Sequence, residues 1–162
     1  MSLIGRVLIL LHGVSILLMA GAVAMGYGAA AGMVEIPVHL RYGFYTSLGI
    51  VFTLVMTIFY FIGIGASMRE AAGGHRTYAG HLDAAARLRK HLALPIGLAL
   101  VTLMAAVILG GGSHTHKLPS WVHHTASLLA LVFNVHAAWW SIDSIRANER
   151  LIATLEEAIS RT

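Results

Sequence analysis

The chain reads as an all-α membrane protein, a bundle of four transmembrane helices followed by a cytoplasmic amphipathic helix. Three observations predict this. Hydrophobic residues make up 57% of the 162 positions. Charged residues make up only 11%, against about 25% in an ordinary soluble domain. Four apolar runs also reach the roughly 20 residues that cross a bilayer as a helix.

The first run is Val7 to Ala31, interrupted only by His12, Ser15 and Tyr27. It outlasts the apolar core of a signal peptide, about 7–15 residues, so it is read as a retained span. The second run is Phe44 to Ala66. The third is Leu92 to Gly112, with Pro95 near its start. The fourth is Trp121 to Ile142, with His123, His124, Asn134 and His136 embedded in it. The corresponding spans cover about 4–31, 43–67, 91–112 and 120–142, so residues 1–142 form one bundle domain.

Residues 143–162 are read as a helical tail continuing out of span four. Ile145, Leu151, Ile152, Leu155 and Ile159 fall near one face, and charges of both signs occupy the rest. That face suits packing against a partner or against the base of the bundle. A solvated amphipathic tail is the competing reading.

Charge sets the orientation. The segment between spans two and three carries Arg69, Arg76, Arg87, Arg89 and Lys90 against Glu70 and Asp83. The other two connections hold only Arg41, Glu35 and Lys117. The positive-inside rule puts the 67–91 segment and both termini in the cytoplasm, of a bacterial inner membrane if the source is bacterial. Positive charges at membrane borders give no reason to expect nucleic acid as a partner; membrane lipid is the expected one.

The chain has no cysteine. Thiolate zinc sites, iron–sulfur clusters and thioether-linked haem are thereby excluded. What remains is imidazole, and there are ten histidines. An ionisable side chain inside a bilayer is costly and usually functional, and imidazole is the commonest ligand for transition metals and haem iron.

Depth sorts these histidines into two layers. At 1.5 Å of rise per residue, His12 lies about 8–12 Å from the cytoplasmic end of span one, and His136 about 9 Å from the same side. His39 stands just before span two on the outer side, level with His123 and His124 at the start of span four. Each layer offers a span-four histidine and one from another span, the requirement for a bis-histidine haem b. One or two haems are therefore expected, with the two levels about 20 Å apart. Arg6 and Arg146 inside, and Arg41 and Lys117 outside, suit haem propionates. Gly13, Gly43 and Gly49 offer close approach of a flat ring to a helix.

The bland alternatives are specific. His12 or His136 alone reads as an interhelical hydrogen-bonding residue. His39, His123 and His124 lie near the interface, where a free imidazole is cheap. His75 and His81 read as solvent-exposed, and His91 as interfacial, with a quinone or proton path as its functional alternative. His114, His116 and His124, on the outer side, form an alternative copper or zinc site.

The placement of His12, His39, His123 and His136, with the local text His123-His124-Thr125-Ala126 to His136-Ala137-Ala138, resembles the small bacterial cytochrome b561 family, including its superoxide oxidase type. The resemblance covers all four spans in pattern. It implies b-type haems held by these four histidines, and electron transfer between a quinone or other donor and an outer acceptor, alone or with redox partner subunits. One departure stands out. The family's span-four histidines lie about fourteen residues apart, nearly on one helix face. Here the separation is thirteen or twelve, which turns the pair about 140° or 120° apart in a straight helix. On that ground the inner pair, His12 with His136, is placed ahead of the outer pair. The remaining alternatives are a non-haem copper or zinc protein and a haem-free structural subunit. Glycine loops for phosphate, nucleophile elbows and zinc-protease motifs are absent.

Overall fold

The computed structural model describes residues 1–161. It contains α1 (Leu3–Ala30), α2 (Ile36–Ala71), a 3₁₀ turn (Arg76–Tyr78), α3 (Ala79–His114) and α4 (Ser120–Ser160). All four helices are long and apolar enough to cross a membrane. Each packs on its neighbours in the chain, and α4 returns to α1, so the four close a ring. The chain runs up, down, up and down, which brings both termini to one end.

Lipid cannot drive helices together by the hydrophobic effect, so close packing and polar contacts must do so. The α3–α4 contact is made of small side chains: Ala99 and Ala106 on one helix, Ala130 and Ala137 on the other, all buried. Leu8, Ile50, Leu54 and Leu103 fill the rest of the core. Outside, Leu17, Val101 and Val132 point away from the bundle, as a lipid-facing belt should. Trp121 and Trp139 are both exposed on α4. They stand 18 residues apart, or roughly 27 Å, close to the hydrocarbon thickness, as expected of interface anchors.

Three helices run past the predicted spans. α2 begins at Ile36 rather than about 43, because Pro37 in the first turn starts a helix well. His39 therefore belongs to the first turn of α2 instead of preceding it. α3 begins at Ala79, so most of the segment read as a basic loop is helical. Residues 79–91 contain Ala, Leu, Arg and Lys with no breaker after Gly80, and such residues hold a helix in water as readily as in lipid. Pro95 lies buried inside α3 without ending it. α4 continues unbroken through the predicted tail. The tail's apolar face is satisfied within the chain. Buried Leu155 packs with Met68, Ala72 and Tyr78, and Leu151, Ile152 and Ile159 join them at the base of the bundle.

The termini end is also tied by Glu149 of α4. Its carboxylate accepts from the backbone N–H of Ser2 at 2.5 Å, from the Ser2 hydroxyl, and from the Tyr60 hydroxyl of α2 at 2.9 Å. Ser2 is at once the N-cap of α1, its Oγ accepting from the Gly5 N–H. A carboxylate at a helix N-terminus is favoured by the helix dipole.

The two connections at the opposite end share one design. α1 ends with Gly32 in the left-handed region, φ +72°, the Met33 N–H donating to the Gly28 carbonyl and the Gly32 N–H to that of Ala29. α3 ends likewise, with the Lys117 N–H on the Gly112 carbonyl and the His116 N–H on that of Ser113. The pattern is a Schellman motif in both cases. In the second, however, the left-handed position is filled by His116 at φ +57°, a conformation that costs an L-residue with a Cβ roughly 1–2 kcal/mol.

Candidate functional site

The histidine layers take very different forms. At the inner level His12 is 2% exposed. Its Nε2 lies 3.0 Å from Thr57 Oγ1 of α2. Thr57 already donates its own proton to the Thr53 carbonyl, so it accepts from His12, and Nε2 carries the proton. One turn along, Thr53 donates to the Gly49 carbonyl and accepts from Ser15. His12 and Ser15 thus join α1 to α2 through a short polar ladder. The α4 side chains beside His12 are Asn134 and Ala138. Asn134 is buried, and its amide donates to the carbonyls of Ala130 and Ala99.

His12 and His136, expected to face each other, are not brought together. α4 is unbroken helix through this region, and His136 lies on its exposed face with its ring against Trp140, centroids 6.2 Å apart. The thirteen residues from His123 turn it away from the bundle, as helix geometry requires. It stands one turn from the Trp139–Trp140 anchors, near the interface, where an exposed imidazole is inexpensive.

The outer level is open instead of packed. A cavity of about 580 Å³ lies among α1, α2, α3 and α4, lined among others by His39, His114, His116, His123 and His124. That volume falls within the roughly 300–1,000 Å³ of small-molecule and cofactor sites. His39 and His123 each occupy the first turn of a helix and approach each other across the bundle, with ring centroids 6.2 Å apart. His124 packs on Tyr27 of α1 at 4.8 Å. His114 and His116 line the cavity but are exposed.

Two glycines make room for the inward rings. A Cβ on Gly110 of α3 would stand 2.9 Å from Cε1 of His123. One on Gly26 of α1 would stand 3.2 Å from Cε1 of His39. The glycines read from the sequence as close-approach points, Gly13, Gly43 and Gly49, face no neighbour within 4 Å. Gly26 and Gly110 are two of 17 glycines, and composition alone does not mark them.

The hydrogen-bonding state of the two rings differs from that of His12. His123 Nδ1 lies 3.1 Å from the Ala106 carbonyl oxygen. A carbonyl only accepts, so Nδ1 carries the proton and Nε2 keeps its lone pair. A backbone carbonyl holding the far nitrogen is the usual support of a metal-bound histidine. His39 Nδ1 is buried and has no partner, which costs free energy unless something satisfies it. Two imidazoles bound on opposite sides of one metal, at metal–nitrogen distances of about 2 Å, stand roughly 6 Å apart by centroid. His39 and His123 therefore have the spacing that two such ligands would need. Among the described residues, no group of three or more His, Asp or Glu side chains is arranged to hold a metal ion, so His114, His116 and His124 are not gathered into a site of their own.

No protein-family model, curated protein or solved structure matches the chain.

Proposed function

We propose that His39 and His123 would hold one b-type haem in the outer cavity, and that the protein is a small membrane cytochrome of the kind the b561-like histidine pattern suggests. The observation that carries this reading is the paired state of the two rings. One has its Nδ1 proton committed to Ala106, the other has a buried nitrogen without a partner, and they stand 6.2 Å apart across an open cavity.

A haem so held supplies one-electron chemistry. The residues of the chain do the rest. His123 is fixed in tautomer and direction by the Ala106 carbonyl, and Gly26 and Gly110 admit the two rings. Met19, Ile50 and Leu103 give the site apolar walls. Tyr27 holds His124 at the rim. A quinone or a redox subunit in the membrane is the electron partner this reading requires. Placement in a bacterial inner membrane with both termini inside belongs to the same proposal, on the strength of the basic segment between α2 and α3.

The test is an absorption spectrum of the detergent-purified protein, oxidised and then reduced, with a haem count per chain. The expected result is one haem b, lost in His39→Ala and His123→Ala and kept in His12→Ala and His136→Ala. A colourless protein from cells with ample haem, or bleaching by His12→Ala with the outer variants unaffected, would overturn it.

A further inference from the structure

At the termini end the packing between α3 and α4 opens. Above, Ala99 and Ala106 lie close on Ala130 and Ala137. Below, where Ala84 faces Ala147, a groove of about 490 Å³ remains between the helices. Its polar lining is Arg87 and His91 from α3, with Arg150 and Thr154 from α4. No carboxylate lines it. The nearby acids Asp83, Asp143 and Glu149 lie outside the lining, and the Glu149 carboxylate is already taken by Ser2 and Tyr60. Among the described residues, the ion pairs are Met1 with Glu149 and Glu157 with Arg161, so neither Arg87 nor Arg150 has an anionic partner.

The depth of the groove is informative. His91 immediately precedes Leu92, where the apolar run of α3 begins, and Ala147 follows Ile142, where that of α4 ends. The groove therefore starts at the membrane border, at headgroup level. Leu88 and Leu151 give it an apolar floor. Two guanidiniums present parallel N–H donors that match phosphate oxygens. A basic pocket between membrane helices is the form that anionic headgroups occupy.

We infer that this groove binds a phosphate group, and that its source is an anionic phospholipid whose headgroup lies between Arg87 and Arg150. The inference stands apart from the haem proposal, at the other end of the bundle.

The experiment is a lipid titration of the full-length protein in detergent, read by native mass spectrometry, with dioleoyl-phosphatidylglycerol, dioleoyl-phosphatidylcholine or inorganic phosphate at matched ionic strength. Phosphatidylglycerol is expected to bind in preference to phosphatidylcholine. Arg87→Gln with Arg150→Gln is expected to raise its half-saturating concentration about 30-fold, and each single change about fivefold, from about 1 kcal/mol per cation near the surface. Both side chains are exposed, so their loss leaves packing intact. Arg69→Gln with Arg76→Gln removes the same charge from the same end, and is expected to change binding less than about twofold. Equal loss in that control, or no preference over phosphatidylcholine, overturns the site. Inorganic phosphate binding as tightly as the lipid, and displacing it, overturns the lipid assignment in favour of a soluble phosphate.

Discussion

His12 sits among hydroxyls, whereas His39 and His123 sit among glycines and empty space. All three lie on helices of one small bundle. Around His12 the packing is tight and its ring is tied: Thr57 accepts its hydrogen bond, and Asn134 lies on the side toward α4. Around His39 and His123 two glycines leave room for the rings, and His39 Nδ1 stays without a partner. An imidazole in a membrane is thus either locked into helix packing or left beside open space according to what faces it, and the number of histidines does not decide between the two.

The largest effect expected from breaking this contrast is at the outer ligands. Replacing His39 or His123 by Ala should abolish haem retention, measured as haem per chain after purification, while His12→Ala leaves it near the wild-type value. Next comes Gly110→Val. Its Cβ alone would crowd the His123 ring at 2.9 Å, so occupancy should fall on the order of 10-fold or more, the scale on which disturbed supporting contacts weaken metal sites. Gly26→Ala, where the approach is 3.2 Å, should do less. Retained colour in Gly110→Val would mean that His123 is not a ligand.

The inner ladder should respond in stability alone. His12→Ala, Thr57→Val and the double change should give a coupling energy of about 0.6 kcal/mol, and no more than about 1.7 kcal/mol, by a double-mutant cycle of unfolding in mixed micelles. A coupling near zero would remove the helix-packing assignment. Smallest is a gain: His116→Gly relieves a left-handed φ of +57° and should stabilise by about 1 kcal/mol. If haem binding falls as well, the strained turn serves the cavity its side chain lines.

The four spans were legible because run length and charge exclusion report directly on the bilayer. The helix ends were legible only in part. Residues 79–91 lie outside the apolar runs and read as a basic loop, yet they contain good helix formers, so α3 simply starts earlier; the continuation of α4 through 143–160, with its apolar face, was legible. Within the site, the azimuth of two histidines on one helix was legible and partners were not: His12 and His136, ranked first from the sequence, are not brought together, whereas His39 and His123 approach each other. The separation of His123 from His136 already implied that they face apart, and they do. That His12 would meet Thr57 depended on how α1 rotates against α2, which hydroxyls scattered along an apolar helix do not specify. The pockets for the His39 and His123 rings rest on Gly26 and Gly110, and glycine is too common in membrane helices to single these out.

The Glu149 tether has a consequence for the order of assembly. It joins residues 147 positions apart, and at about 5–20 residues per second its acceptor leaves the ribosome roughly 7–30 s after Ser2. The His12–Thr57 and Ser15–Thr53 bonds span only 45 and 38 positions, so the first hairpin can zip while the later spans are still being made. The amino end of α1 must wait, uncapped by its carboxylate, until the last helix arrives to close the ring.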